Sequence, residues 1–297
     1  MKAMVFSEKD DLAGQILTMF RGKFSMDLFT TSQSDLTNYG ADNVFQIKGE
    51  NAFVDNLSDL IKENFRSGGY DLILIGSSVL GRELASVLSE DLGFEAKTEI
   101  MSLELKDGSV ITERFFFGGK SIIKEESKSK IFTILPGLVD PVPVDSKSNV
   151  KELNLDKQSK IRLVEAIEKP KGNVNLEKAD IIVSVGRGLG KKEGLSLVQQ
   201  LADLLHGEIG GSRPVCLDYH WLSEERQVGL SGKRVKPKIY IALGISGQVQ
   251  HIAGMRGSKT VIAVNRDKNA PIFNECDYGI VGDLYAVVPK IIEAMKK

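Results

Sequence analysis

Short apolar runs alternate with helical-period stretches through the first half of the chain. Residues 1–7 predict a strand, and residues 11–22, with Leu12, Ile16, Leu17 and Phe20 at helical spacing, predict a helix. Residues 55–67 repeat the helical pattern through Leu57, Leu60, Ile61 and Phe65. The continuous apolar run at 70–78 predicts a strand buried on both faces, and 80–93 a helix closed by Gly93. Between residues 98 and 135 the pattern turns β-rich, in the runs SLEL, VITERFFF and KIFTIL, with turn signals at Asp107-Gly108 and Gly118-Gly119. These runs are expected to extend the same sheet as hairpins. Three prolines make 135–148 neither helix nor central strand, so it is a first boundary marker, and a second break is expected at 169–175.

The alternation then restarts. A buried strand at 179–185 leads into Gly186-Arg187-Gly188-Leu189-Gly190 and a helix through Leu195, Val198, Leu201, Ala202 and Leu205. Further strands are expected at 238–243, opening into Gly244-Ile245-Ser246-Gly247, at 260–264, ending at Asn265, and at Tyr278–Val281, before an amphipathic helix over Leu284–Met295. Parallel strands each followed by a helix place their loops on one edge, where doubly wound sheets bind ligands. The fold class is therefore α/β in two domains: residues 1–168 with a mixed sheet, and 172–297 as a doubly wound, Rossmann-like domain.

Composition narrows the function. With 39 Lys and Arg against 40 Asp and Glu, the formal net charge is -1, without the basic excess of a nucleic-acid binder. Two cysteines, Cys216 and Cys276, are too few for a four-thiolate iron–sulfur cluster or a disulfide framework, which fits a cytoplasmic setting. The opening residues lack a basic n-region, and no run reaches about eighteen apolar residues, so neither an export signal nor a membrane span is expected.

Four clusters could carry chemistry. In the first, Gly186, Gly188 and Gly190 let backbone approach an anion and the next helix offers free N–H groups, although such turns also serve plain packing. Arg187 adds a forked cation suited to phosphate. The second is Gly210-Gly211-Ser212-Arg213-Pro214, and the third Gln227-Val228-Gly229-Leu230-Ser231-Gly232, which is otherwise an ordinary hairpin. The fourth runs from Ile239 through Gly244-Ile245-Ser246-Gly247-Gln248-Val249-Gln250-His251 to Gly254, and then to Val261-Ile262-Ala263-Val264-Asn265.

Other readings are weaker. Ser246, His251 and an Asp could suggest a hydrolase triad, but Gly244-Ile245-Ser246-Gly247-Gln248 lacks the second glycine of a nucleophile elbow. Cys216, Asp218 and His220 make a poor metal site without a fourth ligand. Trp221 and Phe115 to Phe117 read as core or subunit contact rather than a cofactor stack.

The fourth cluster resembles the signature of electron transfer flavoprotein alpha subunits, in which a strand feeds an I-S-G-x-x-Q-H loop and helix and the next strand ends in Asn. The other clusters, and Ala270-Pro271-Ile272-Phe273 through Asp277-Tyr278-Gly279-Ile280, are similar to the family in the same order. The resemblance implies FAD as cofactor and electron carriage rather than substrate transformation. It implies that Ser231 bonds flavin N5, His251 reaches the O2 side, Gln227 the polar edge, and Arg213 lies against the ring. Arg187, Ser212, Ser246 and Gln250 would contact ring, ribityl chain or pyrophosphate, and Asn265 and Asp283 the adenosine end. Where the family commonly has Gln-Thr, this chain has Leu230-Ser231: the hydroxyl persists and an amide donor is lost. The implied partners are a beta subunit, donor dehydrogenases such as acyl-CoA dehydrogenases, and a membrane-associated quinone reductase as acceptor. Two alternatives stay open: a bifurcating flavoprotein with a second FAD in the beta subunit and NADH as donor, and a non-redox adenine-nucleotide-binding module.

Overall fold

The computed structural model describes residues 1–49, 52–165 and 175–296. The chain divides into two compact units, Met1–Ile167 and Glu168–Lys297. The break expected at 169–175 lies, apart from Asn175, outside the described residues.

In the first unit the strands are β1 (Lys2–Phe6), β2 (Ser25–Thr30), β3 (Asn43–Lys48), β4 (Leu72–Gly76), β5 (Ala96–Lys106), β6 (Ser109–Phe116), β7 (Ser121–Ser127), β8 (Ile131–Ile134) and β9 (Asn149–Asn154). They form one sheet in the order β7-β6-β5-β8-β4-β1-β2-β3-β9. Its helices are α1 (Asp10–Phe20), α2 (Val54–Ser67) and α3 (Val79–Leu92). Ile16, Leu17 and Phe20 of α1 close a core on one face of the sheet, while Leu57 and Ile61 of α2 and Leu84 and Leu88 of α3 close the other. The strands between those layers are buried on both sides, which is why 70–78 reads as an uninterrupted apolar run.

Two sequence expectations change here. The run KIFTIL is not a hairpin arm: β8 lies parallel between β4 and β5, and the antiparallel hairpins are β5-β6 and β6-β7. Nor is 135–148 a boundary, because the chain returns through β9 to pair with β3. The segment is held to the same unit through Gln15, whose Oε1 accepts from Gly137 N at 2.6 Å, and through Val144 N donating to Asn38 O at 2.7 Å. Phe115, Phe116 and Phe117 are 42%, 39% and 70% exposed, so they are not core.

The second unit has β10 (Ile181–Val185), α4 (Leu195–Leu204), β11 (Glu208–Gly211), β12 (Ile239–Leu243), α5 (Val249–Met255), β13 (Thr260–Asn265), β14 (Tyr278–Val281) and α6 (Leu284–Met295). All five strands are parallel, in the order β11-β10-β12-β13-β14. Val183, Val185, Ile241 and Leu243 pack under α4 and α6, and Ile182, Tyr240, Ala242 and Ala263 pack on the other face with Ile252 and Met255 of α5. From β10 the chain crosses to β11 on one side, and the later strands add on the other, so the topological switch lies between β10 and β12. That is where an open α/β sheet binds ligands, beyond the carboxyl ends of the strands.

Candidate functional site

At the switch point the loops after β10 and β12 touch backbone to backbone. Gly186 N donates to Leu243 O at 2.9 Å and Gly188 N to Gly244 O at 3.0 Å. A Cβ on Gly186 would lie 2.3 Å from Gly244 O, and one on Gly188 2.7 Å from Gly244 Cα. The expectation that these glycines leave room for an anion is therefore corrected: the partner loop fills that room. The helix expected directly after the turn is also displaced. Two short 3-10 turns, Arg187–Leu189 and Lys192–Gly194, intervene before α4 begins at Leu195. Arg187 projects from this turn exposed, and Ser246 lies exposed in the facing loop. Among the described residues neither Arg187 nor Arg213 makes an ion pair or a side-chain hydrogen bond.

The second and third clusters meet α5. Ser212 N donates to Val185 O at 2.9 Å, which places Ser212 at the end of β11 beside β10. Arg213, exposed, opens the short π-helical turn Pro214–Asp218. Val228 N donates to Gly211 O at 2.9 Å, and Leu230 N to Gln250 O at 2.7 Å, so the 227–233 loop is held between β11 and α5. The approach to α5 is so close that a Cβ on Gly254 would stand 2.3 Å from Gly229 N. Within the loop the buried Gln227 donates from Nε2 to Ser231 Oγ at 3.0 Å, and Lys233 N closes the turn onto Gln227 O at 2.7 Å. Through these links the structure brings Ser212, Arg213, Gln227, Ser231, Gln250 and His251 into one bonded assembly.

His251 is buried, and its Nε2 lies 2.9 Å from the hydroxyl of Tyr240, which is 0% exposed on β12. Burial pushes the imidazole pKa down to about 4, opposed by the Val228 backbone, so the ring is neutral near pH 7. This bond also disposes of the triad reading, since the ring is paired with Tyr240 and not with Ser246. Tyr240, the hydrogen-bond partner of His251, is not singled out by the sequence. Its only signal is one hydroxyl in the otherwise aliphatic run IYIAL.

Asn265 and Asp283 stand together at the carboxyl ends of β13 and β14, where Gly282 N donates to Asn265 O at 3.0 Å. Both side chains already serve the fold. Asn265 Nδ2 donates to Ile245 O at 2.8 Å, and Asp283 Oδ1 caps α6 by accepting from Tyr285 N at 2.8 Å. Cys216 is buried and burial pushes its thiol up to about 12, opposed by Arg226, while Asp218 and His220 are exposed.

Several buried polar atoms of this region are unsatisfied. Buried Ser212 Oγ, Ser184 Oγ and His251 Nδ1 have no hydrogen-bond partner among the described residues. The two guanidinium groups are donors only and the hydroxyls and imidazole can donate, beside a backbone packed too tightly for side chains. An unpaired buried polar atom costs about 1–3 kcal/mol, so Ser212 and His251, next to the loops of the switch point, are candidates to gain a partner when a ligand binds. FAD presents acceptors along its length, in its ring carbonyls and nitrogens, ribityl oxygens and pyrophosphate, and the residues present fit it.

Comparison with known proteins agrees in both units. A family model described as "Electron transfer flavoprotein FAD-binding domain" matches residues 175–256, and one described as "Electron transfer flavoprotein domain" matches residues 11–160. The electron transfer flavoprotein subunit alpha of Thermoanaerobacterium thermosaccharolyticum is 37% identical over 275 residues, covering 89% of this chain and 83% of that protein. The protein FixB of Escherichia coli O127:H6 is 33% identical over 266 residues, covering 87% of this chain and 85% of its own length. FixB of Shigella dysenteriae serotype 1 is 32% identical over the same shares. FAD is thus the cofactor, and the chain belongs to the electron transfer flavoprotein alpha-subunit family.

Proposed function

We propose that residues 172–297 hold FAD at the carboxyl edge of the β10-β12 switch point, with Arg187, Ser212, Arg213, Gln227, Ser231, Ser246, Gln250, His251, Asn265 and Asp283 as its contacts. The observation that carries this reading is the pair of buried polar atoms without partners among the described residues, Ser212 Oγ and His251 Nδ1, on elements linked through the 227–233 loop. When bound, FAD supplies the ability to take up and release electrons singly or in pairs. The protein's part is to position and to tune. Arg213, an exposed cation without an ion pair among the described residues, favours whichever redox state places more negative charge beside it. The Gln227–Ser231 pair fixes a hydroxyl in a defined orientation, and the neutral His251 offers a hydrogen bond without adding a charge. Asn265 and Asp283 hold the far end while keeping their turn and cap bonds. No general acid or base is needed for such a carrier.

Membership of the alpha-subunit family implies a beta-subunit partner. The exposure of Leu230, at 56%, and of the neighbouring Ser231 supports a site that a second chain covers. The complex carries electrons from dehydrogenases, such as acyl-CoA dehydrogenases, to a respiratory acceptor such as a membrane-associated quinone reductase. The test is co-expression with the beta subunit encoded beside it, followed by purification and stopped-flow mixing with a reduced acyl-CoA dehydrogenase. A yellow heterodimer with one FAD per alpha chain that bleaches on mixing is expected. A colourless complex that takes up no added FAD would overturn the reading.

A further inference from the structure

His251 offers its ring in one of two neutral forms, and only the form carrying hydrogen on Nδ1 can donate from that buried, unpaired atom. Its Nε2 is taken up by Tyr240 at 2.9 Å. We propose that Tyr240 is a positioning residue that fixes the neutral His251 as the Nδ1–H tautomer, presenting a donor to the carbonyl side of bound flavin; this rests on the FAD reading above.

The direction of the Tyr240–His251 bond follows from what surrounds it. Tyr240 is fully buried among Ile182, Ala242, Ile252 and Ala263, where burial raises the phenol pKa and keeps the proton on its oxygen. A phenol in such a place needs an acceptor for that proton. Ser184 shares the face of Tyr240, since Ile182 pairs with Tyr240 and Ser184 with Ala242. Ser184 Oγ falls short of hydrogen-bond geometry, so it does not take the phenol proton. The lone pair of His251 Nε2 is then the acceptor for the phenol proton. A neutral imidazole accepting at Nε2 carries its own hydrogen at Nδ1, the atom left without a partner. The Val228 backbone favours the protonated ring, so it lies near this Nδ1–H without reaching hydrogen-bond geometry. The opposite tautomer would leave a lone pair at Nδ1, which cannot serve a flavin carbonyl.

The chain holds three histidines, so 15N-histidine labelling of the full chain in complex with its beta subunit yields three ring systems. Long-range proton–nitrogen spectra distinguish protonated from unprotonated ring nitrogens, and His206→Asn and His220→Asn assign the third system to His251. Expected is Nδ1–H in the unaltered complex, a shift toward Nε2–H in Tyr240→Phe, and FAD bound about two- to tenfold more weakly, the worth of one hydrogen bond. An Nε2–H ring in the unaltered complex overturns the proposal even if Tyr240→Phe fails to fold. An Nδ1–H ring unchanged in a folded Tyr240→Phe also overturns it. A chain that binds no FAD yet shows a Tyr240-dependent Nδ1–H ring would refute the flavin reading and leave the positioning role standing.

Discussion

Gly186→Ala probes the contact that shapes the switch point. Gly186 has φ -111° and ψ -174°, a backbone that alanine adopts freely, so the substitution acts through space alone. The added methyl would lie 2.3 Å from Gly244 O, 2.7 Å from Ile245 Cα and 2.9 Å from Gly244 C. All three are backbone atoms, so the 244–248 loop must retreat by about 1 Å to restore van der Waals contact. Overpacking of this kind costs about 1–3 kcal/mol. The single tryptophan, Trp221, packs against the core of the second unit, so its fluorescence follows that unit's unfolding. With a urea slope of about 1–3 kcal/mol/M, the midpoint should fall by about 1 M. FAD should also bind at least about tenfold more weakly, because a displacement of that size misaligns the facing loops. Gly190→Ala is the control: nothing lies within 4 Å of its added methyl, but φ is +77°. It should cost about 1–2 kcal/mol of backbone strain and leave FAD affinity unchanged. A Gly186→Ala protein with unshifted midpoint and unshifted FAD affinity would refute the packing argument.

The Arg213 charge is expected to raise the flavin's first reduction potential. At a contact near 4 Å, an effective dielectric between 80 and 20 makes it worth about 1–4 kcal/mol, and its exposure favours the lower end. Arg213→Ala should therefore lower that potential by about 40–170 mV in spectroelectrochemical titration, with Arg213→Lys intermediate, at 59 mV per tenfold; an unchanged potential makes Arg213 a bystander. For pH, burial holds the His251 pKa at about 4 in the folded state against the ordinary 6.5, so the folded state binds fewer protons. Its contribution is complete above pH 6.5 and is lost as pH falls toward 4, at up to about 1.4 kcal/mol per pH unit. The Trp221 midpoint of the native chain should drop more steeply through that window than that of His251→Gln, and parallel curves would count against it. A chain comprising residues 172–297 should fold and retain FAD; an N-terminal fragment that binds it instead would reverse the assignment.

What the sequence determined is the set of elements whose burial pattern is local. Continuous apolar runs at β4, β10 and β12, and the helical spacing of Leu12, Ile16 and Phe20 or of Leu195, Val198 and Leu201, are readable because each residue's neighbours declare which faces must leave water. The Gly-Ile-Ser-Gly loop and its Gln250-His251 were legible for a related reason: unusual residues in fixed register within one loop and helix. Tertiary structure decided what depends on residues far apart. β11 hides in the sequence because Gly210 and Gly211 read as a turn; a Cβ on Gly210 would come 3.2 Å from both Ile182 Cγ2 and Val228 Cγ2, so close packing puts glycine in a strand. The proline-rich 135–148 looked like a boundary, and only the pairing of β9 with β3 returned it to the first unit. Gly186 and Gly188 after β10 look like an anion cradle, and only the facing Gly244 loop shows them to be packing. Tyr240 passed as one more apolar strand residue, because a buried phenol declares its role only when its partner, eleven residues on and in another element, is in place. Local patterning sets which surfaces a segment must bury; which segment buries them, and which polar atom is left waiting, is settled by the fold.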